Sequence, residues 1–146
     1  MAAKNNSNLF FLCSLIEFIG RDRHLSRGNV VDILGREGVE RIYEYADVLH
    51  CEPIAKVADE YIREFAIEPG EFDNVAQCRY LVPDYWTMGQ VYERLIEDIS
   101  EEGKIIDTVL EVYASWIDEH LSDYNTDFYY QSRDYIAECY RLKRIL

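Results

Sequence analysis

The stretch KIIDTVLEVYASWIDEHLS, Lys104 to Ser122, decides the fold class. Ile106, Val109, Leu110, Tyr113, Trp116, Ile117, His120 and Leu121 recur at spacings of three and four, opposite Asp107, Glu111, Asp118 and Glu119. A repeat near 3.6 separates the two sets onto opposite faces of a helix, so the reading is one amphipathic helix laid on a core. Just upstream, Thr87 is placed to cap a helix carrying Val91, Tyr92, Leu95, Ile96 and Ile99, which stops near Gly103. Downstream, Asp123 to Tyr130 forms a turn dense in Tyr and Asp, and Ser132 caps a last helix with Tyr135, Ile136, Cys139, Tyr140 and Leu142.

The first half reads the same way. Ser7 or Asn8 caps a helix from Leu9 to Gly20, in which Phe10, Phe11 and Phe18 widen the Leu9, Leu12, Leu15, Ile16, Ile19 face well beyond an ordinary stripe. Such a helix is either central in the core or part of an interface, and the centre of the core is the expectation. Ser26 caps a short helix with Val30, Val31, Ile33 and Leu34, ended by Gly35 or Gly38, and a third runs from Val39 to about His50. Pro53 suits the first turn of a fourth, with Ile54, Val57, Ala58, Tyr61, Ile62 and Phe65 on its buried side. Glu68 to Glu71 and Pro83 interrupt the chain on either side of a short helix between Asn74 and Tyr80. The expectation is an all-α fold of six or seven helices in one compact, two-lobed unit: an N-terminal lobe over residues 1–67, a connecting segment 68–83 and a C-terminal lobe over 84–146. No stretch alternates with period two, and no internal repeat supports a solenoid.

Composition narrows the function. The 146 residues are 49% apolar and 14% aromatic with few Gly and Pro, which excludes low-complexity and disordered classes. A formal net charge of −13, distributed as −1, −7 and −5 over residues 1–50, 51–100 and 101–146, repels phosphate backbones and anionic lipid. Nucleic acid and membrane partners are therefore not expected, whereas a basic protein partner or a second copy of the chain is. Cys13, Cys51, Cys78 and Cys139 form no C-x-x-C pair, which suits reduced thiols and a cytoplasmic location better than zinc or a disulfide framework. The apolar run Leu9 to Ile16 is interrupted by Glu17 and too short to span a bilayer.

Chemistry-bearing patterns are sparse. Gly35 to Gly38 followed by Val39 to His50 has the outline of a helix-turn-helix, yet Glu40, Glu44 and Asp47 outnumber Arg41 on the recognition helix. Asp47, His50 and Cys51 bring an acid, an imidazole and a thiol together, but surrounding acids disfavour a thiolate. The three histidines have no further ligands at metal-binding spacing, and neither a Walker loop nor a G-x-S-x-G elbow is present, so no catalytic residue, cofactor or metal is assigned. Aromatic residues in two turns stand out: Tyr80, Tyr85 and Trp86 around Pro83, and Tyr124, Phe128, Tyr129 and Tyr130 before the last helix. Aromatic side chains in turns serve either as interface anchors or as core filling.

Over roughly the first 65 residues the chain resembles an uncharacterised bacterial family of short helical proteins, a domain of unknown function. The residues that carry the likeness are the apolar first helix, Leu25-Ser26-Arg27-Gly28-Asn29-Val30-Val31, and Ile42-Tyr43-Glu44-Tyr45-Ala46-Asp47-Val48-Leu49-His50. Some members of that family accompany ADP-ribosyltransferase-like proteins in gene clusters, so the resemblance implies a partner or antitoxin role without a catalytic set. Together these readings lead to a non-enzymatic protein-interaction module with an acidic, Tyr-rich surface. A helix-turn-helix regulator and a small enzyme with a carboxylate or His site are the alternatives.

Overall fold

Helix α1 (Ser7–Arg23) is apolar on nearly every side, and it occupies the middle of the protein. The computed structural model describes residues 2–146. Asn6, one residue earlier than the sequence suggested, caps α1: its Oδ1 accepts the Leu9 N–H at 3.0 Å. The helix ends at His24, which turns left-handed (φ 54°) and returns its N–H to the Gly20 carbonyl. Leu9, Leu12, Cys13, Leu15, Ile16 and Ile19 are all fully buried, as the broad apolar face predicted.

Around it lie α2 (Arg27–Glu44), α3 (Ala46–Leu49), α4 (Ile54–Glu64), α5 (Asn74–Gln77), α6 (Tyr85–Ile99), α7 (Ile105–Tyr113), α8 (Ile117–Leu121), a 3-10 turn at Phe128–Tyr130 and α9 (Arg133–Leu142). The described residues thus hold nine α-helices and no strand, an all-α fold with more helices than expected. The break expected at Gly35 or Gly38 falls at Gly35, whose φ 66° and ψ −178° are not helical and are open to glycine, so α2 consists of two helical segments meeting at a kink. The expected run to His50 is broken at Tyr45, leaving α3 as a separate turn. Ser26 and Ser132 cap α2 and α9 as expected, but α6 is capped by Asp84 rather than Thr87, with Oδ1 taking the Thr87 N–H at 2.7 Å.

The Lys104–Ser122 stretch, read as one helix, is two. At the break Ser115 Oγ accepts the Ile117 N–H at 3.3 Å, a donor that a continuous helix would aim at the Tyr113 carbonyl. The N-terminus of α2 meets the chain there. The Gly28 backbone lies so close that a Cβ on it would come within 2.5 Å of the Tyr113 oxygen, and Asp118 Oδ2 accepts the Gly28 N–H at 3.0 Å.

The most extensive partner of α1 is α6, followed by α2 and α4, and one apolar cluster spans both halves of the sequence. Helices α1 and α6 approach closely at Ser14 and Gly89, where only glycine leaves room. Residues 68–73 lie against the end of α1, with the Gly70 N–H on the Arg23 carbonyl at 2.8 Å and the Phe72 N–H on that of His24 at 2.9 Å.

Candidate functional site

Because α6 buries Met88, Gly89, Tyr92, Leu95 and Ile96 against α1, its opposite face, Trp86, Thr87, Gln90 and Arg94, is turned to solvent. Trp86 is 39% exposed and is held between Phe10 (ring centroids 5.5 Å apart) and Tyr85 (5.0 Å), with Phe18 edge-on to Tyr85 at 5.2 Å. On the other side of the helix, Tyr129 and the 67% exposed Tyr130 face Val91 across a groove of about 220 Å³ floored by Leu95 and Ile136. Gln90, Arg94, Gln131 and Arg133 supply its polar groups.

Of the seven aromatic candidates, the structure therefore brings Trp86, Tyr129 and Tyr130 to the outer face of α6, with half-buried Tyr85 supporting Trp86. Two are corrected. Tyr124 is 3% exposed and Phe128 4%, Phe128 packing edge-on against His120 and Tyr135. Their rings close the core, which turn position alone did not reveal, so neither is presented on the surface. Tyr80 is exposed but lines neither the groove nor the neighbouring cavities.

Tyr124 is buried because its hydroxyl belongs to a charge cluster that the sequence reading missed. Glu17 Oε2 accepts from Arg27 Nη2 at 2.8 Å, Arg21 Nε at 3.0 Å and the Tyr124 hydroxyl. Arg27, fully buried, also donates to the Leu25 carbonyl (2.9 Å) and to Asn74 Oδ1 (3.0 Å), and Asn74 Nδ2 donates to the Ser122 carbonyl (3.0 Å). Burial pushes the Glu17 carboxyl up, but Arg27, Arg21 and the hydrogen bonds outweigh it and hold the group below the usual carboxylate range. Beside it, Tyr92 donates to Asp118 Oδ1 at 2.6 Å; burial raises Asp118 despite that bond and the one from Gly28. Arg27 Nε is buried without a partner, but the other bonds of the cluster fasten α1, α2, α5, α6 and α8 together. The signal available in sequence was the acid-base pair Glu17 and Arg21, four apart in an otherwise apolar helix.

A second carboxyl cluster lies on α6. Glu97, fully buried, accepts the Asn6 N–H at 2.9 Å and Arg133 Nη2 at 3.2 Å, while Arg133 forks onto Asp98 at 2.8 and 2.9 Å. Burial and the neighbouring Glu97 carboxyl push Glu93 up to about 8.

The remaining sequence candidates do not assemble. His50 Nδ1 is 3.0 Å from the Ala46 carbonyl and Cys51 Sγ 3.6 Å from that of Asp47, so imidazole and thiol are each turned to their own backbone turn. Arg41, the one base on the helix-turn-helix candidate, is held by Glu64 at 2.5 Å and stacked over Tyr61 and Phe65. No trio of His, Cys, Asp or Glu among the described residues is arranged to hold a metal, and no described helix is long and apolar enough to cross a membrane. Neither a protein-family model, nor a curated protein, nor a solved structure matches this chain.

Proposed function

We propose that the chain is a non-enzymatic protein-interaction module whose docking surface is the outer face of α6, and that it regulates or neutralises a basic partner protein in the manner of an antitoxin. One observation carries the reading: Trp86 on one side of α6, and on the other a groove floored by Leu95 and Ile136 and walled by Tyr129 and Tyr130, lie exposed in a chain with a net charge of −13. Aromatic side chains beside a desolvated floor are what interfaces use as anchors, and a strong negative field accelerates encounter with a basic protein.

The test is to identify the protein cross-linked to the native chain in its own cells by mass spectrometry, then measure its affinity for Trp86→Ala and Tyr130→Ala. Each substitution is expected to weaken binding by about 2 kcal/mol or more, roughly 30-fold, as anchor truncations do. Thermal stability should change little for Tyr130→Ala because that ring is mostly solvent-exposed. Binding unchanged in both variants would refute the proposal.

A further inference from the structure

On the Phe10 side of Trp86 a second cavity, about 240 Å³, opens between the start of α1 and α3. Its apolar lining is aromatic: the Phe10 and Trp86 rings, tilted 33° to each other, and the buried Phe11. Its charged group is the Asp47 carboxylate, which has no hydrogen bond and no ion pair within 4.0 Å among the described residues, and no Lys or Arg lines the space. His50 adds an acceptor. The Ala46 carbonyl beside its Nδ1 can only accept, so Nδ1 carries the hydrogen, and in that tautomer the lone pair is on Nε2. Ser7 and Asn8 bring the N-terminus of α1 to the same cavity, and its dipole opposes a cation. The full charge on Asp47 exceeds the half charge of that dipole.

Negative π faces, an uncompensated carboxylate and a nitrogen lone pair together select a cation that carries N–H donors on an apolar stem. We propose that this cavity receives the ammonium group of a lysine side chain on the basic protein partner. The inference rests on the interaction-module reading and adds the chemistry of one anchor to it. Lysine suits the site because its compact ammonium offers three donors, enough for both the Asp47 carboxylate and His50 Nε2, on an apolar stem that can lie against the edge of the Phe10 and Trp86 pair.

The experiment is an NMR titration of the full-length, isotope-labelled chain with Nα-acetyl-lysine methylamide. Saturable shifts of the Trp86 indole N–H and of the Asp47 and His50 amides are expected. The uncharged norleucine analogue should bind at least about fivefold more weakly, and Asp47→Asn should weaken the lysine probe by a similar factor. Asp47 is exposed, so this variant keeps the fold, which its spectrum reports directly. Absence of a saturable shift at Trp86, equal binding of norleucine, indifference to Asp47→Asn, or the same shifts produced by acetate would each overturn the proposal. Should the lysine probe fail while partner affinity still depends on Tyr130, the cavity assignment falls and the groove reading stands. If affinity depends on Asp47 but not on Tyr130, the reverse holds.

Discussion

Replacing Gly89 with alanine tests whether the α1–α6 crossing organises the fold. A Cβ at this position would lie 2.1 Å from Ser14 Oγ and 2.9 Å from both Cα and N of Ser14, closer than the 3.0 Å that real Cβ atoms respect. The hydroxyl can rotate away; the α1 backbone cannot, so the helices must move apart along the most extensive helix pair in the protein. Overpacking of this kind costs about 1–3 kcal/mol, and a backbone clash belongs at the upper end. Against it stands about 1 kcal/mol from the better helix propensity of alanine, leaving a net loss of about 2 kcal/mol. For a domain of this length that is a fall in Tm of roughly 6 °C, readable by thermal circular dichroism. Ser14→Ala by itself should be neutral or stabilising, because the buried Ser14 hydroxyl has no hydrogen-bond partner. Combined with Gly89→Ala it should recover less than half the loss, since the backbone contacts remain. A Gly89→Ala protein melting at or above the parent temperature would refute the close-packing argument.

Glu17→Gln should destabilise by about 3–5 kcal/mol in urea unfolding, because it leaves the buried Arg27 charge without its counter-ion; a loss under about 1 kcal/mol would show that Tyr124 and Asn74 suffice. Glu93, raised from 4.5 to about 8, contributes stability that is complete below about pH 4.5 and gone once the pH passes about 8. Unfolding free energy should therefore fall as pH rises across that window, and Glu93→Gln should flatten the slope; an unaltered profile would refute the raised Glu93 carboxyl. Glu17 works in the opposite direction: its depressed carboxyl contributes stability present at neutral pH and lost as acid protonates it, so the parent protein should melt highest near about pH 5–6.

Helix content and the central place of α1 were legible because both depend on local spacing. A 3.6 period and an apolar residue on every side of Leu9 to Ile19 need no knowledge of the neighbours. The caps at Ser26 and Ser132 were readable for the same reason, whereas Asn6 and Asp84 displaced the expected Ser7 or Asn8 and Thr87 by one to three residues, since several adjacent side chains offer an equivalent oxygen.

Aromatic residues in turns were visible as candidates for a surface, but their sorting was not. Tyr124 and Phe128 went to the core while Tyr130, two residues further on, stayed in water. That choice depends on Glu17 and Arg27, more than 90 positions away, which demand a hydroxyl in their cluster and draw the Tyr124 ring inward. The same holds for the break in Lys104–Ser122, where the local pattern favours continuity but the N-terminus of α2 arrives close against the Tyr113 carbonyl and donates the Gly28 N–H to Asp118. Sequence alone determined which segments are helical and which faces are apolar, because hydrophobic burial is read residue by residue along a helix. Only the tertiary structure decided where charges pair, where helices break and which rings remain exposed, because those outcomes depend on desolvation and on contacts between groups far apart in the chain.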